Sequence, residues 1–173
     1  VLKAVRVSLE LFDVFGARPA LGRTFVPEED QPNGQPVVIL AETAWVRLFG
    51  GDPSAVGRTI TIDDKPCRVV GVMPAGFRWP REVDVWLPLA LPPAQLTEDS
   101  RFNEHLTGVA RLRPGVTLAA SGARVRTLAD RVKSGTDENA AFARASVWGM
   151  FAMPFTDFVA GDTFGAARTW TST

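Results

Sequence analysis

The chain has 173 residues, 19 basic and 19 acidic side chains and a single cysteine, and therefore no formal net charge. That balance argues against a surface built for nucleic acid or anionic lipid, and one cysteine excludes an internal disulfide and a cysteine-rich zinc site. Aliphatic residues are abundant, tyrosine is absent, and no apolar run reaches the ~18 residues a membrane helix needs, so the expectation is an ordinary globular fold that spans no membrane by itself.

Val1 to Val7 alternates well enough to predict a strand, and a start at Val1 in mid-strand suggests a piece of a longer protein. Ser8 is a good N-cap for a two-turn helix in which Leu9, Leu11, Phe12 and Phe15 form one apolar face and Gly16 is the stop. Pro19 and Gly22 force turns, and the acidic, breaker-rich run Pro27 to Gly34 is a surface loop. Val37 to Leu40 is a continuous apolar run behind Pro36, which predicts a strand buried on both faces. Ala44, Trp45 and Leu48 then fall at helical spacing, and Gly50-Gly51 closes that helix. Asp52-Pro53 opens a single helical turn that ends at Gly57.

Arg58 to Ile62 alternates, with Ile60 and Ile62 on one face, and Cys67 to Met73 returns as its hairpin partner across an Asp63-Asp64 turn. Leu21-Gly22-Arg23-Thr24-Phe25 echoes Val56-Gly57-Arg58-Thr59-Ile60. Two pentamers make no repeat; the echo reads as shared turn geometry, with glycine supplying a positive φ before the chain extends. Gly76 to Pro80 is an aromatic loop, and Val83, Val85 and Leu87 predict another strand before Pro88, Pro92 and Pro93 interrupt regular structure.

Beyond a polar connector, His105 to Leu112 resumes alternation through Leu106, Val109 and Leu112, weakened by Gly108. Thr117 caps the longest helix, whose stripe of Leu118, Val125, Leu128, Ala129 and Val132 is suited to packing on a sheet. A helical turn over Ala140 to Ala143, a strand through Val147 and Phe151, and a short helix over Thr156 to Val159 complete the reading. The class is α+β in two lobes. One is made of β-α-β units over 1–50 and 104–173, and the other is a mixed, hairpin-rich lobe over 51–103 inserted into it.

A hydrolase would have to start from His105 beside Glu104, with Asp13, Glu28, Glu29, Asp30, Asp63, Asp64 and Asp84 as acidic candidates. No G-x-S-x-G elbow or H-E-x-x-H pair brings such groups together. Glu28-Glu29-Asp30 lacks the ligand spacing of a calcium loop, and Gly50-Gly51-Asp52-Pro53 lacks the lysine and glycine spacing of a phosphate loop. Cys67, in a strand, reads as a small buried hydrophobe. No residue is therefore assigned a catalytic, cofactor-binding or metal-binding role. Phe77, Arg78 and Trp79, near Arg81 and Trp86, are the candidate contact for a hydrophobic ligand or protein partner, with packing over the hairpin as the alternative.

The order of segments resembles the periplasmic core domain of MacB-type ABC transporter permeases, and is similar to the large permeases of that kind in soil bacteria such as Acidobacteria. The resemblance rests on Val7-Ser8 through Phe12-Asp13-Val14-Phe15-Gly16, Pro19 to Phe25 with Glu28-Glu29-Asp30, and Pro36 to Leu40 with Trp45 and Phe49 to Pro53. It continues through Val56 to Ile60, Val69 to Pro74 with Gly76-Phe77, Asp84 to Leu89, and Val109 to Thr117. It implies a non-enzymatic extracytoplasmic domain without cofactors, with a Porter-like lobe over 1–50 and 104–173 and a Sabre-like inserted lobe over 51–103. The implied partners are transmembrane helices of the same permease, a separate ATP-binding subunit or domain, and a periplasmic adaptor or lipoprotein. Its task would be to couple ATP-driven motion to export or extraction of a substrate. A stand-alone extracytoplasmic binding module is the alternative.

Overall fold

The computed structural model describes residues 2–80, 82–97, 100, 106–146 and 148–160, and the chain divides into two units, Val1–Asn103 and Glu104–Thr173. In the first unit the order is β1 (Ala4–Val7), α1 (Leu11–Phe15), β2 (Leu21–Gly22), β3 (Val37–Leu40), α2 (Glu42–Phe49), β4 (Thr59–Ile62), β5 (Lys65–Val72) and β6 (Val85–Pro88). These six strands make one mixed sheet in the order β1-β6-β3-β5-β2, with β4 also on β5. β1 runs parallel to β6 and β3 parallel to β5, whereas β6 is antiparallel to β3, and β2 and β4 are antiparallel to β5.

All four residues of β3 are buried, as its unbroken apolar run predicts. Its side chains alternate between two clusters: Val37 and Ile39 join Phe12, Phe25 and Trp86, while Val38 and Leu40 join Val69, Val72, Val85 and Leu87. A strand packed on both faces also needs a neighbour on each edge, and here they are β5 and β6. Both come from the span read as a separate inserted lobe. The observed sheet therefore crosses the boundary expected at Gly50-Gly51, and strands from 4–40 and 59–88 share a core. The α+β class itself holds, as a mixed sheet with helices.

Local signals place most of these elements. Gly50 ends α2 at φ 62, and the Asp52 carboxylate caps the following 3-10 turn by accepting from the Ser54 N–H at 2.8 Å. Asp63 and Asp64, at φ 48 and 62, form the two-residue turn between β4 and β5. The echoed pentamers do share geometry: Gly22 and Gly57 both have positive φ, and the two segments lie end to end along one edge of β5. Helix α1 starts later than Ser8 suggests, because Glu10 takes the N-cap position with no side-chain cap bond.

In the second unit, α3 (Leu118–Lys133) is capped by Thr117, and α4 (Glu138–Ala145) by Asp137, with α5 at Phe155–Ala160. Helices α3 and α4 pack on each other, and the buried residues of the pair are Gly122 and Ala129 in α3 and Ala140 and Ala143 in α4. Leu106 to Leu112 and 148–154, both read as strands, have no ladder among the described residues. Val147, on which the second of these readings leaned, lies outside them. A strand forms only where another edge satisfies its N–H and C=O groups, and residue-level alternation cannot supply that edge.

Gly22 and Gly71 face each other in the β2–β5 ladder so closely that a Cβ at Gly71 would lie 2.3 Å from the Arg23 carbonyl oxygen. At Gly122, by contrast, a Cβ meets only the flexible end of Arg126 at 3.4 Å. Gly71→Ala should therefore destabilise the protein by ~1–3 kcal/mol or more, whereas Gly122→Ala should stabilise α3 by about 0.5–1 kcal/mol. Urea unfolding midpoints that moved in the same direction would contradict this assignment.

Candidate functional site

The aromatic loop after β5 is held from inside. Phe77 is half-buried, with ring centroids 5.6 Å from Phe12, 5.7 Å from Phe15 and 5.4 Å from Trp86. Trp79 lies 5.1 Å from Phe15, and its carbonyl accepts the Trp86 indole N–H at 3.1 Å. Trp86 is fully buried, so its N–H needs that acceptor. Among the three candidate contact residues, Arg78 alone is exposed; its Nε donates to the Ala75 carbonyl at 3.2 Å. A cleft of about 80 Å³ opens beside it, lined by Glu42, Thr43, Ala75, Phe77, Arg78 and Glu82 among others. The rings thus serve packing, and a ligand surface here narrows to Arg78 with the outer part of Trp79.

The acidic candidates go separate ways. Glu29 is 9 % exposed and binds Arg23 through both oxygens, at 2.9 and 2.6 Å, while also accepting the Val26 N–H at 3.0 Å. Burial by itself would raise its pKa, but the Arg23 and Val26 bonds outweigh that and hold the carboxyl below its usual 4.5. Asp84 behaves alike. Burial opposes its charge, yet the Lys3 backbone N–H at 2.8 Å and Arg47 at 2.8 Å keep its pKa below the ordinary value. Asp84 thereby ties the start of β1 to β6 and α2. Asp30 accepts the Ala90 N–H at 2.6 Å, and Asp13 and Glu28 are exposed.

Asp63 and Asp64 occupy the hairpin turn, and His105 and Glu104 lie outside the described residues. Cys67 is buried, its Sγ is 3.6 Å from the Lys65 carbonyl, and burial pushes the thiol pKa up, away from reactivity. Among the described residues, no three His, Cys, Asp or Glu side chains group as metal ligands. Two clefts went unread in the sequence. One of about 190 Å³ lies at the end of the sheet between Arg6, Glu29, Asp63 and Lys65. The other, of about 570 Å³, lies in the second unit between Arg126, Lys133, Trp148, Met150 and Phe151. The exposed Met150 and Phe151 were the available signal for the larger one, hidden by reading their segment as a strand.

Residues 3–128 match the family model described as MacB-like periplasmic core domain. A macrolide export ATP-binding/permease protein MacB from Burkholderia thailandensis is 32% identical over 120 residues, covering 66% of this chain and 18% of that protein. Its counterpart in Rhodopseudomonas palustris is 32% identical over 130 residues, 72% of this chain and 19% of the relative. The chain thus spans about a fifth of the length of these relatives. In fold it is similar to the periplasmic region of MacB from Actinobacillus actinomycetemcomitans, with a TM-score of 0.53, 18% identity, and coverage of 82% of this chain and 64% of that one.

The Arg23–Glu29 pair generates a pH prediction. Because the folded carboxyl titrates below its unfolded value, its contribution to stability is present above about pH 4.5 and is lost as pH falls through the folded pKa. Glu29→Gln should therefore cost ~1–3 kcal/mol at neutral pH, near the low end since Arg23 is half-exposed, and should flatten the acid limb of the stability profile. An acid limb of unchanged slope in the variant would show that another group sets it.

Proposed function

We propose, since this chain belongs to the family of MacB-like periplasmic core domains, that it is the extracytoplasmic core of an ABC-type permease in the cell membrane. It makes and breaks no bonds itself. It relays motion of the permease's own transmembrane helices, driven by a separate ATP-binding subunit or domain, to a cargo that is exported or extracted, and a periplasmic adaptor or lipoprotein docks on the assembly. The match over residues 3–128 carries this reading. The construction of the first unit supports it: a relay needs an unyielding body, and here a sheet packed on both faces is pinned at its rim by Asp84, which links β1, β6 and α2.

In the parent permease reconstituted in vesicles with its ATP-binding part, Asp84→Ala should lower ATP-driven transport several-fold while ATP hydrolysis continues. Full transport in a folded variant would sink the relay reading, and so would ATP turnover by the purified 173-residue chain.

A second reading, a stand-alone binding module, is favoured by the exposed Arg78 beside the half-buried Trp79. If it is right, Arg78→Ala should weaken capture of a hydrophobic ligand or protein partner about tenfold without changing the unfolding midpoint, in line with the weight that arginine carries in interface centres. An affinity that stays constant removes this surface.

A further inference from the structure

The clefts of about 80 and 190 Å³ in the first unit fall short of the roughly 300–1,000 Å³ that small-molecule sites occupy, whereas the cleft of about 570 Å³ in the second unit lies inside that range. One of its walls is α3. Arg126 and Lys133 stand seven residues apart there, which puts them on one helix face and ~10.5 Å apart along the axis, with the buried Ala129 between them. The other wall is the segment from Trp148 to Phe151, in which Met150 is 41% and Phe151 62% exposed. Large apolar side chains thus meet water around a concave surface, an arrangement that marks a ligand groove rather than a packed core.

Charge decides the kind of ligand. Among the described residues neither the Arg126 guanidinium nor the Lys133 ammonium has a hydrogen bond or an ion pair, although Asp130 stands between them on the same wall. Two cations and one carboxylate leave the cleft with a net positive charge. The carbonyls at the end of α3 would oppose an anion, but Arg144 donates to those of Lys133 and Gly135 at 2.6 and 2.7 Å and adds a further positive charge there. We propose that this groove binds a single-chain amphiphile with an anionic head. The acyl chain lies along Ala129, Met150 and Phe151, and the head meets Arg126 and Lys133, whose long side chains can converge on it. A cationic head would meet like charge, and a bare hydrocarbon would take water from both cations without replacing it. The site shares no residue with the Arg78 surface, and its occupancy does not depend on the chain relaying motion.

Isothermal titration of the 173-residue chain with monomeric dodecanoate should show one site with a Kd below about 1 mM. Decanoate, which buries two methylenes fewer, should bind about tenfold more weakly. Dodecyltrimethylammonium, with a chain of similar length and the opposite charge, should bind at least tenfold more weakly than dodecanoate. Arg126→Gln combined with Lys133→Gln should lower dodecanoate affinity about tenfold and bring the two head groups level. The unfolding midpoint should stay where it is, because neither side chain holds another residue. Absence of dodecanoate binding at millimolar concentration overturns the proposal, as does equal binding of the two head groups or an affinity that the double variant leaves unchanged.

Discussion

Everything in the first unit follows from the way β3 has to be satisfied. Four consecutive apolar side chains leave no polar face to turn to water, so Val37 to Leu40 must lie inside, and its backbone groups then require a ladder on each edge. β5 and β6 meet that requirement from later in the chain, one parallel and one antiparallel. β1 then adds to β6, and β2 and β4 to β5. The helices close the two faces, with Phe12 of α1 in one cluster and Trp45 and Phe49 of α2 against the other.

The polar pins sit where this burial runs out. Arg23 and Glu29 hold the loop that leaves β2, and Asp84 gathers β1 and α2 at the foot of β6. Each carboxylate is nearly buried and each arginine about half-exposed, so the charge that desolvation penalises most is the one given several donors. The aromatic loop is organised by the same need. The buried Trp86 must find an acceptor for its indole N–H, takes the Trp79 carbonyl, and so draws Phe77 and Trp79 inward, leaving Arg78 outside.

The legible parts of the chain were those that local chemistry decides. The Asp63-Asp64 hairpin, the Gly50 stop, the Asp52-Pro53 turn and the Thr117 cap each need only neighbours within a few residues, and each forms as read. What escaped was decided at a distance. The partners of β3 lie some thirty or more positions away, so a boundary drawn from the hairpin-rich middle could not see that its strands complete an earlier sheet. The two-residue strand β2 exists because Gly22 and Gly71 let two backbones approach where no side chain fits, a fact that only the pair reveals. In the contact site, three adjacent residues looked equivalent in sequence, and the cluster separated Phe77 and Trp79 from Arg78.

The two units also differ in what keeps them rigid. The first buries Trp86, Phe12, Ile39, Leu40 and Met73, side chains large enough to interlock. Among its described residues, the second buries only glycine and alanine, while Leu128, Phe142, Met150 and Phe151 remain exposed. Its helices are joined instead by close small-residue contact and by Arg144, which donates to the Lys133 and Gly135 carbonyls at 2.6 and 2.7 Å. Small side chains contribute little transfer free energy, and exposed hydrogen bonds open readily, so local opening should be concentrated in this unit rather than in the sheet.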